Sequence, residues 1–399
     1  MMRQNIGAAG DGASDKPLER LGRNKTRRLF LYGYYGQKNV GDDAMLYAFL
    51  VECSPKPFDF LITCGEARPA LPVNVARRTT LIRTSPFDVV TSLIRASAFV
   101  IVGGTHLSDY GRRAKPLVMQ GRILALVTLA KLLRKKIHFL AVGLGPFERR
   151  PTALLAKSSC FLADDISVRD LESLAVARKF GLDGGVTLSF DLSALLKPDK
   201  EVDKLKSKTD RKVLGMSITP ITGDNSDERM NARFLQGLAE SLSLWLRKNP
   251  EWTVRLFVFH GESENSNHDV AVTRELKKRV DSDRITVFDY DPDPRAMMNG
   301  VAQCAVFVGM KFHSCLFAYL TCTPLLVIPY HAKCAALARE IGLPPAAIVY
   351  PRDVAQRGLD DSLDHLSDSP EDFTASLPRD TAVERAKSAF SKLYRTIGD

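Results

Sequence analysis

At 399 residues, 45% of them hydrophobic and 26% charged, the chain can bury two cores and has ordinary globular usage, which excludes a fibrous, low-complexity or disordered polymer. The formal net charge of +10 favours anionic partners such as phosphorylated lipids, membrane surfaces, acidic glycans or nucleic acid, and says nothing of fold. Seven cysteines, an odd number with no C-x-x-C pair, argue for a reducing compartment and against a disulfide framework or a zinc site.

Residues 1 to 27 are polar and lack the apolar run of a secretory signal, so a flexible segment is expected there and the first ordered element near Arg28. Strand-like runs then follow at Arg28 to Tyr34, Phe58 to Thr63, Ala98 to Gly103, Ile137 to Val142, Ile166 to Arg169 and Val186 to Asp191. Between them, Leu117 to Leu133 is the most apolar helix candidate. Gln120, Arg122 and Lys131 interrupt it, so it is too short to span a bilayer and reads as a core helix. Its cationic end, Lys131 to Lys136, reads as a solvated helix terminus, with contact to an anionic membrane as the second reading.

A charged stretch without apolar periodicity marks a linker at 197–211. Alternation resumes with strands at Val213 to Ile218, Val254 to Phe259, Ile285 to Phe288, Ala305 to Val308 and Leu325 to Ile328, and with helices near Glu228 to Arg247 and Asp269 to Val280. Strand and helix alternating in this way predict an α/β protein with two Rossmann-like domains, 28–196 and 212–350, each a parallel sheet wound by right-handed crossovers.

Ligands of such sheets bind beyond the carboxyl ends of the strands, and the distinctive residues of this chain follow predicted strands there. They are Gly33, Gly36, Asn39, Gly41, Asp42 and Asp43; Gly103, Gly104, His106 and Asp109; Arg169 and Asp170; and Lys311, His313 and Ser314. Lys311 and His313 are placed in the turn before a helix running from Ser314 to Leu320. Free backbone N–H groups and the helix dipole favour phosphate or carboxylate there, and an imidazole can move a proton near neutral pH. Structural uses compete with these readings: Asp42 and Asp43 as caps of a helix beginning near Ala44, the Gly-Gly pair as a tight strand exit, Asp109 as a turn residue, Arg169 and Asp170 as a local ion pair. The glycine spacing is not G-x-G-x-x-G, which speaks against a nicotinamide cofactor, and no residue cluster has the form of a metal site.

The blocks Gly33-Tyr34-Tyr35-Gly36 with Asn39-Val40-Gly41-Asp42-Asp43-Ala44, Gly103-Gly104 with Asp109, Val168-Arg169-Asp170 with Ser173, Gly309-Met310-Lys311-Phe312-His313 and Tyr330 with Lys333, in this order, resemble the polysaccharide pyruvyl transferases. The resemblance runs from about Arg28 to Tyr350. Three departures bear on the acceptor and on donor geometry: Lys311 replaces the usual Arg, His106 follows Thr105 where a third Gly is usual, and His331-Ala332 replaces Asp-Pro.

The resemblance implies two domains facing a cleft, GT-B-like, with a helical tail over 351–399. It implies transfer of pyruvate from phosphoenolpyruvate to two hydroxyls of a sugar, in an exopolysaccharide, cell-wall or lipid-linked glycan precursor, without metal or cofactor. His313 is then the acid or base. Arg169, Lys311 and Lys333 hold the donor's carboxylate and phosphate, and Asp42 or Asp109 orients sugar hydroxyls, with Gly36, Asn39, Gly103, Gly104, His106 and Ser314 completing the substrate set. A cytoplasmic enzyme is expected, with peripheral contact at the inner face of the membrane kept as an option. Two alternatives stay open: a GT-B glycosyltransferase using a nucleotide sugar, and a non-catalytic glycan or nucleic-acid binder, which lacks the aromatic platform expected of it.

Overall fold

The computed structural model describes residues 27–109, 115–182, 184–199, 212–221, 228–262 and 268–397. The polar segments expected at 1–27 and 197–211 fall almost wholly outside them. The first sheet is parallel and seven-stranded, in the order β3-β2-β1-β4-β5-β6-β7. Its strands are β1 (Arg27–Tyr32), β2 (Phe58–Thr63), β3 (Thr79–Ile82), β4 (Ala98–Val102), β5 (Lys136–Val142), β6 (Asp165–Val168) and β7 (Val186–Leu188). Every residue of β4 is buried, as a central parallel strand covered on both faces requires.

Side chains alternate across this sheet. Leu29, Leu31, Val100 and Val102 face helix α1 (Val40–Cys53), whereas Phe30, Tyr32, Phe99 and Ile101 face a layer made by α3 (Pro86–Arg95), α4 (Lys115–Leu132) and α5 (Arg150–Leu162). A short helix, α2 (Val73–Ala76), precedes β3, and α6 (Leu171–Lys179) follows β6.

The second sheet is parallel and five-stranded, in the order β10-β9-β8-β11-β12. It is built from β8 (Val213–Ser217), β9 (Thr253–Phe257), β10 (Ile285–Phe288), β11 (Val306–Gly309) and β12 (Leu325–Val327). Helices α7 (Glu228–Lys248), α8 (His268–Val280), α9 (Pro294–Ala302), α10 (Phe312–Leu320) and α11 (Ala332–Glu340) connect the strands or follow the last one. Residues 351–397 add α12 (Pro351–Arg357), α13 (Asp360–Asp368), α14 (Arg379–Ser388) and α15 (Phe390–Ile397).

The last of these returns to the first sheet's domain. Phe390 stacks on Phe49 with centroids 5.6 Å apart, the Tyr394 hydroxyl donates to the Glu52 carbonyl at 3.0 Å, and Lys392 pairs with Asp165 at 3.3 Å. One apolar core therefore runs from α1 through both domains to α15.

Strand order reverses between β1 and β4 in one sheet and between β8 and β11 in the other, so each has a crevice at that point, beyond the strand ends. The loops after β1, β4 and β11 carry the blocks singled out from the sequence.

Three local expectations are corrected. Edge strand β3 and helix α3 were not foreseen, because a short, half-exposed strand shows no buried run. Helix α1 begins at Val40 rather than near Ala44, with Asn39 as its cap, accepting from the Gly41 N–H. Helix α10 begins at Phe312, which puts His313 in its first turn and makes Lys311 the residue before it.

Candidate active site

The loop after β1 meets the second domain directly. Val40 N–H donates to the Phe259 carbonyl at 3.0 Å, Gly261 N–H to the Lys38 carbonyl at 2.9 Å, and the Tyr290 hydroxyl to Asp43 Oδ2 at 3.2 Å. Asp43 also accepts from Gly36 N–H at 2.8 Å, closing the loop on itself. Asn39 donates from Nδ2 to Asp42 Oδ2 at 2.6 Å, which aims that carboxylate. Gly41 has no side chain for a steric reason: a Cβ there would overlap the His313 ring, so glycine lets the imidazole lie against the start of α1.

His313 is joined to Arg169 through Asp191. The Asp191 carboxylate, 2% exposed, lies 3.5 Å from His313 Nε2 and 3.2 Å from Arg169 Nη1, and accepts from Ser193 N–H at 3.0 Å. Burial opposes its charge. The nearby His313 imidazole, then Arg169 and the Ser193 N–H, outweigh that and hold the Asp191 carboxyl well below the usual carboxylate range. Arg169 also pairs through Nε with Asp170 at 3.3 Å, and its guanidinium lies 4.3 Å from the Phe312 ring centroid. The local pair with Asp170 thus exists, but it is one of two, and Asp170 caps α6 as well by accepting from Ser173 N–H.

A cavity of about 160 Å³ opens beside Arg169, at the junction of the two domains. Its lining includes Thr105 and Asp109 after β4, the turn Gly143 to Pro146 after β5, and His331 to Lys333 from the second domain. Gly143 again makes room, since a Cβ there would stand 3.3 Å from Arg169 Nη2. Glu148 and Glu172 add carboxylates to the same lining. Asp109 accepts at Oδ2 from the N–H groups of Glu148 and Arg149, both at 2.8 Å, while its Oδ1 is buried without a partner among the described residues.

The titratable groups here are shifted together. Burial lowers Lys333 to about 8, with Arg169 and Lys311 adding to the effect and Cys334 and Asp42 opposing it. Burial raises Asp42 to about 6 although His313, Lys333 and Arg169 favour its charge, and Asp43 adds to the rise. Burial and Arg169 lower His106 to about 4. Burial and Lys333 do the same to His331, which stays neutral and accepts from Lys333 N–H through Nδ1 at 3.2 Å. This histidine caps α11 in the position where the family usually has Asp.

The structure brings Arg169, Lys333, Asp42, Gly104, His106, Asp109 and His313 into one region, but only Arg169, Lys333 and Asp109 of these line the cavity; Asp42, Gly104 and His106 lie outside its lining, and His313 reaches it through Asp191. Other residues stand outside the cavity lining. Lys311 Nζ is paired with Asp269 at 2.7 Å and does not line the cavity, so its charge acts from behind. Ser314 is fully buried and its hydroxyl donates to the Lys311 carbonyl at 2.8 Å, away from the cavity lining.

Gly36 and Gly103, with φ of +65° and +60°, serve close backbone packing: a Cβ on the first would meet the Ala67 carbonyl, and on the second Met45 Sδ. Asn39 likewise positions Asp42. Sequence reasoning missed Asp191, read as the last residue of a strand, and Asp269, read as part of a helix. The signal for Asp191 was an acid at a strand's carboxyl end, the place where the other blocks sit. Among the described residues, no group of His, Cys, Asp and Glu is arranged to hold a metal ion.

A set of buried cations and carboxylates around an imidazole, at the meeting of two such sheets, can hold an anion and exchange a proton. The fold is GT-B-like. UDP-N-acetylglucosamine 2-epimerase from Neisseria meningitidis, solved with UDP-GlcNAc, is similar at 10% identity and a TM-score of 0.58, over 92% of this chain and 100% of that one. The epimerase from Methanocaldococcus jannaschii gives 10% and 0.54 over 93% and 99%, and sucrose-phosphate synthase from Thermosynechococcus elongatus 13% and 0.51 over 93% and 98%. No curated protein matches the chain by sequence. The model of the polysaccharide pyruvyl transferase family matches residues 39–332, from the cap of α1 to the start of α11, and the chain belongs to that family.

Proposed function

We propose that this chain transfers the pyruvyl group of phosphoenolpyruvate to two hydroxyls of one sugar in a glycan or lipid-linked precursor, forming a cyclic ketal and releasing phosphate. The observation that carries the reading is the cavity in which Arg169 and Lys333 stand with Asp109, Glu148 and Glu172. Cations suit the donor's carboxylate and phosphate, and carboxylates suit sugar hydroxyls.

In this scheme a proton adds to the donor's methylene carbon, C2 becomes electrophilic and one sugar hydroxyl attacks it. Phosphate leaves, and the second hydroxyl closes the ketal, each hydroxyl giving up its proton. His313 moves the proton, with Asp191 stabilising its charged form, as general acid or base catalysis requires. Arg169 holds the carboxylate or phosphate through the donors that Asp170 and Asp191 leave free, Lys333 holds the other anionic group, and Asp42 or Asp109 orients the acceptor. Lys311 contributes field rather than contact, and no metal or cofactor is needed.

The test is donor binding followed by product mass. Phosphoenolpyruvate should raise the melting temperature more than UDP or GDP sugars do, because a ligand of the native state stabilises by mass action. Incubation with phosphoenolpyruvate and lipid-linked oligosaccharides should add the mass of a ketal. Greater stabilisation by a nucleotide sugar would favour a glycosyltransferase.

A further inference from the structure

The outer face of the first domain is unlike the rest of the molecule. Helices α3, α4 and α5 bury one side against the sheet through residues such as Val89, Leu93, Ile123, Val127 and Ala156. Their other side is also apolar. Phe87 is 78% exposed, Leu132 76%, Leu154 64% and Val118 61%, and Val90, Ile94, Leu117 and Phe161 are exposed beside them. Phe87, Val90 and Ile94 recur at helical spacing on α3, and Leu154 and Phe161 lie two turns apart on α5. Among the described residues, Tyr350 is the one large apolar side chain of comparable exposure beyond residue 171. Scattered exposed apolar residues are normal, but so many on one layer of three neighbouring helices set this face apart.

The same layer is cationic. From Lys115 to Lys136 the chain carries Arg122, Lys131, Arg134 and Lys135 as well and no acidic residue, and α5 adds Arg150 and Lys157, again without an acid. Part of this charge is used locally. Lys131 pairs with Asp164 at 3.1 Å, and Lys135 donates to the carbonyls of Ile94 and Ala96. Arg95, Arg122, Arg134 and Arg150 remain exposed. On α3, Asp88 is turned to the helix start, where it accepts from the Ser85 hydroxyl.

We propose that the outer face of α3, α4 and α5 is a docking surface for an anionic phospholipid bilayer. Apolar side chains raised on a cationic layer match acyl chains beneath anionic headgroups. Nucleic acid would use the cations but give Phe87, Leu132 and Leu154 nothing to bury against. A second copy of the chain would set Arg122 and Arg134 against like charges. No described helix is long and apolar enough to cross a membrane, so the contact is peripheral. Each of the three helices follows a strand of a parallel sheet, which places their first turns at the edge of the domain where the cleft opens. This surface does not depend on the reaction assigned to the cleft, so the two tests fail separately.

The experiment is co-sedimentation of the full chain with vesicles of phosphatidylcholine alone or mixed with phosphatidylglycerol. Binding is expected to the mixed vesicles only and to weaken with salt. Phe87→Ser with Leu132→Ser should lower it roughly tenfold, as should Arg122→Glu with Arg134→Glu. Arg229→Glu with Arg233→Glu, an equal charge reversal on α7, should leave it unchanged. All variants should keep the parent melting temperature, because the side chains are exposed. The proposal is overturned if mixed vesicles are not bound at low salt, if the α7 pair matters as much, or if the apolar pair does not. It is overturned equally if these side chains hold the chain as a dimer in solution.

Discussion

Asp191 stands 3.5 Å from His313, and the two come from different domains, the carboxylate after β7 and the imidazole from the first turn of α10. Because Asp191 also holds Arg169, it ties the imidazole proposed above to carry the proton in one domain to the guanidinium proposed to hold the anion in the other. Asp191→Asn should therefore lower turnover about tenfold or more, since it removes the charge that stabilises the imidazolium. It should also change acid stability in a defined direction. A carboxyl held below its ordinary range contributes stability that is present above its unfolded value of about 4 and is lost as pH falls through the folded value. Melting scans below pH 4 should thus show a shallower loss in the variant than in the parent, and equal slopes would place the acid sensitivity elsewhere.

Asp42 gives the opposite sign. Its folded value of about 6 lies above the unfolded value, so its charge destabilises the fold fully above pH 6 and ceases to do so below about pH 4. Asp42→Asn should raise stability at pH 8 by about 1–3 kcal/mol, with the gain shrinking toward pH 4. Turnover should fall at the same time, the usual relation between a strained site and its function. A gain that does not vary with pH would mean that burial of the charge is not the cause.

Gly41→Ala tests the close approach between α1 and His313. The added Cβ overlaps the imidazole, so the ring must leave its present position beside Asp191, and turnover should fall about tenfold or more. Gly121→Ala is the matched control, because a Cβ at that position meets nothing within 4 Å. In the middle of α4 that change should stabilise by about 0.4–1 kcal/mol and leave turnover intact. Normal turnover in Gly41→Ala would detach His313 geometry from catalysis.

Much of this arrangement was legible in the sequence because strands buried on both faces appear as apolar runs. Ala98 to Val102 and Val306 to Val308 are such runs, and the residues after them fall at the strand ends where the sheets are open. Interdomain relations were not legible. Nothing near Asp191 in sequence indicates Arg169 or His313, which lie 22 and 122 positions away, and only the packing of two sheets around α1 joins them. Burial was equally hidden. Ser314 looks like a ligand-binding hydroxyl beside His313, yet helix geometry turns it inward onto the Lys311 carbonyl.

Lys311 illustrates how a family departure is accommodated. Its ammonium pairs with Asp269, 1% exposed, so Lys311→Ala strands a buried charge and should destabilise by about 3–5 kcal/mol. Lys311→Arg, which restores the residue usual in the family, keeps a partner for Asp269 and should retain most stability and turnover. Chemical denaturation of the two variants separates these effects. A stable Lys311→Ala with poor donor binding would return Lys311 to direct contact with the anion.

His313 is the decisive residue for the proposed chemistry. His313→Gln keeps a hydrogen-bonding side chain of similar reach near Asp191 but cannot exchange a proton near pH 7, so phosphoenolpyruvate binding should persist while turnover falls roughly 100-fold or more. Arg169→Ala should do the reverse at the binding step, weakening donor binding by about 2–5 kcal/mol, because it removes a cation that lines the cavity. The two variants together split donor binding from proton transfer, measured as the donor-induced melting shift and the single-turnover rate. If His313→Gln turns over normally, the proton comes from another group. His106 is held at about 4 and is therefore neutral at pH 7, so it could only accept, and Asp109, whose Oδ1 faces no partner among the described residues, would be the next residue to replace.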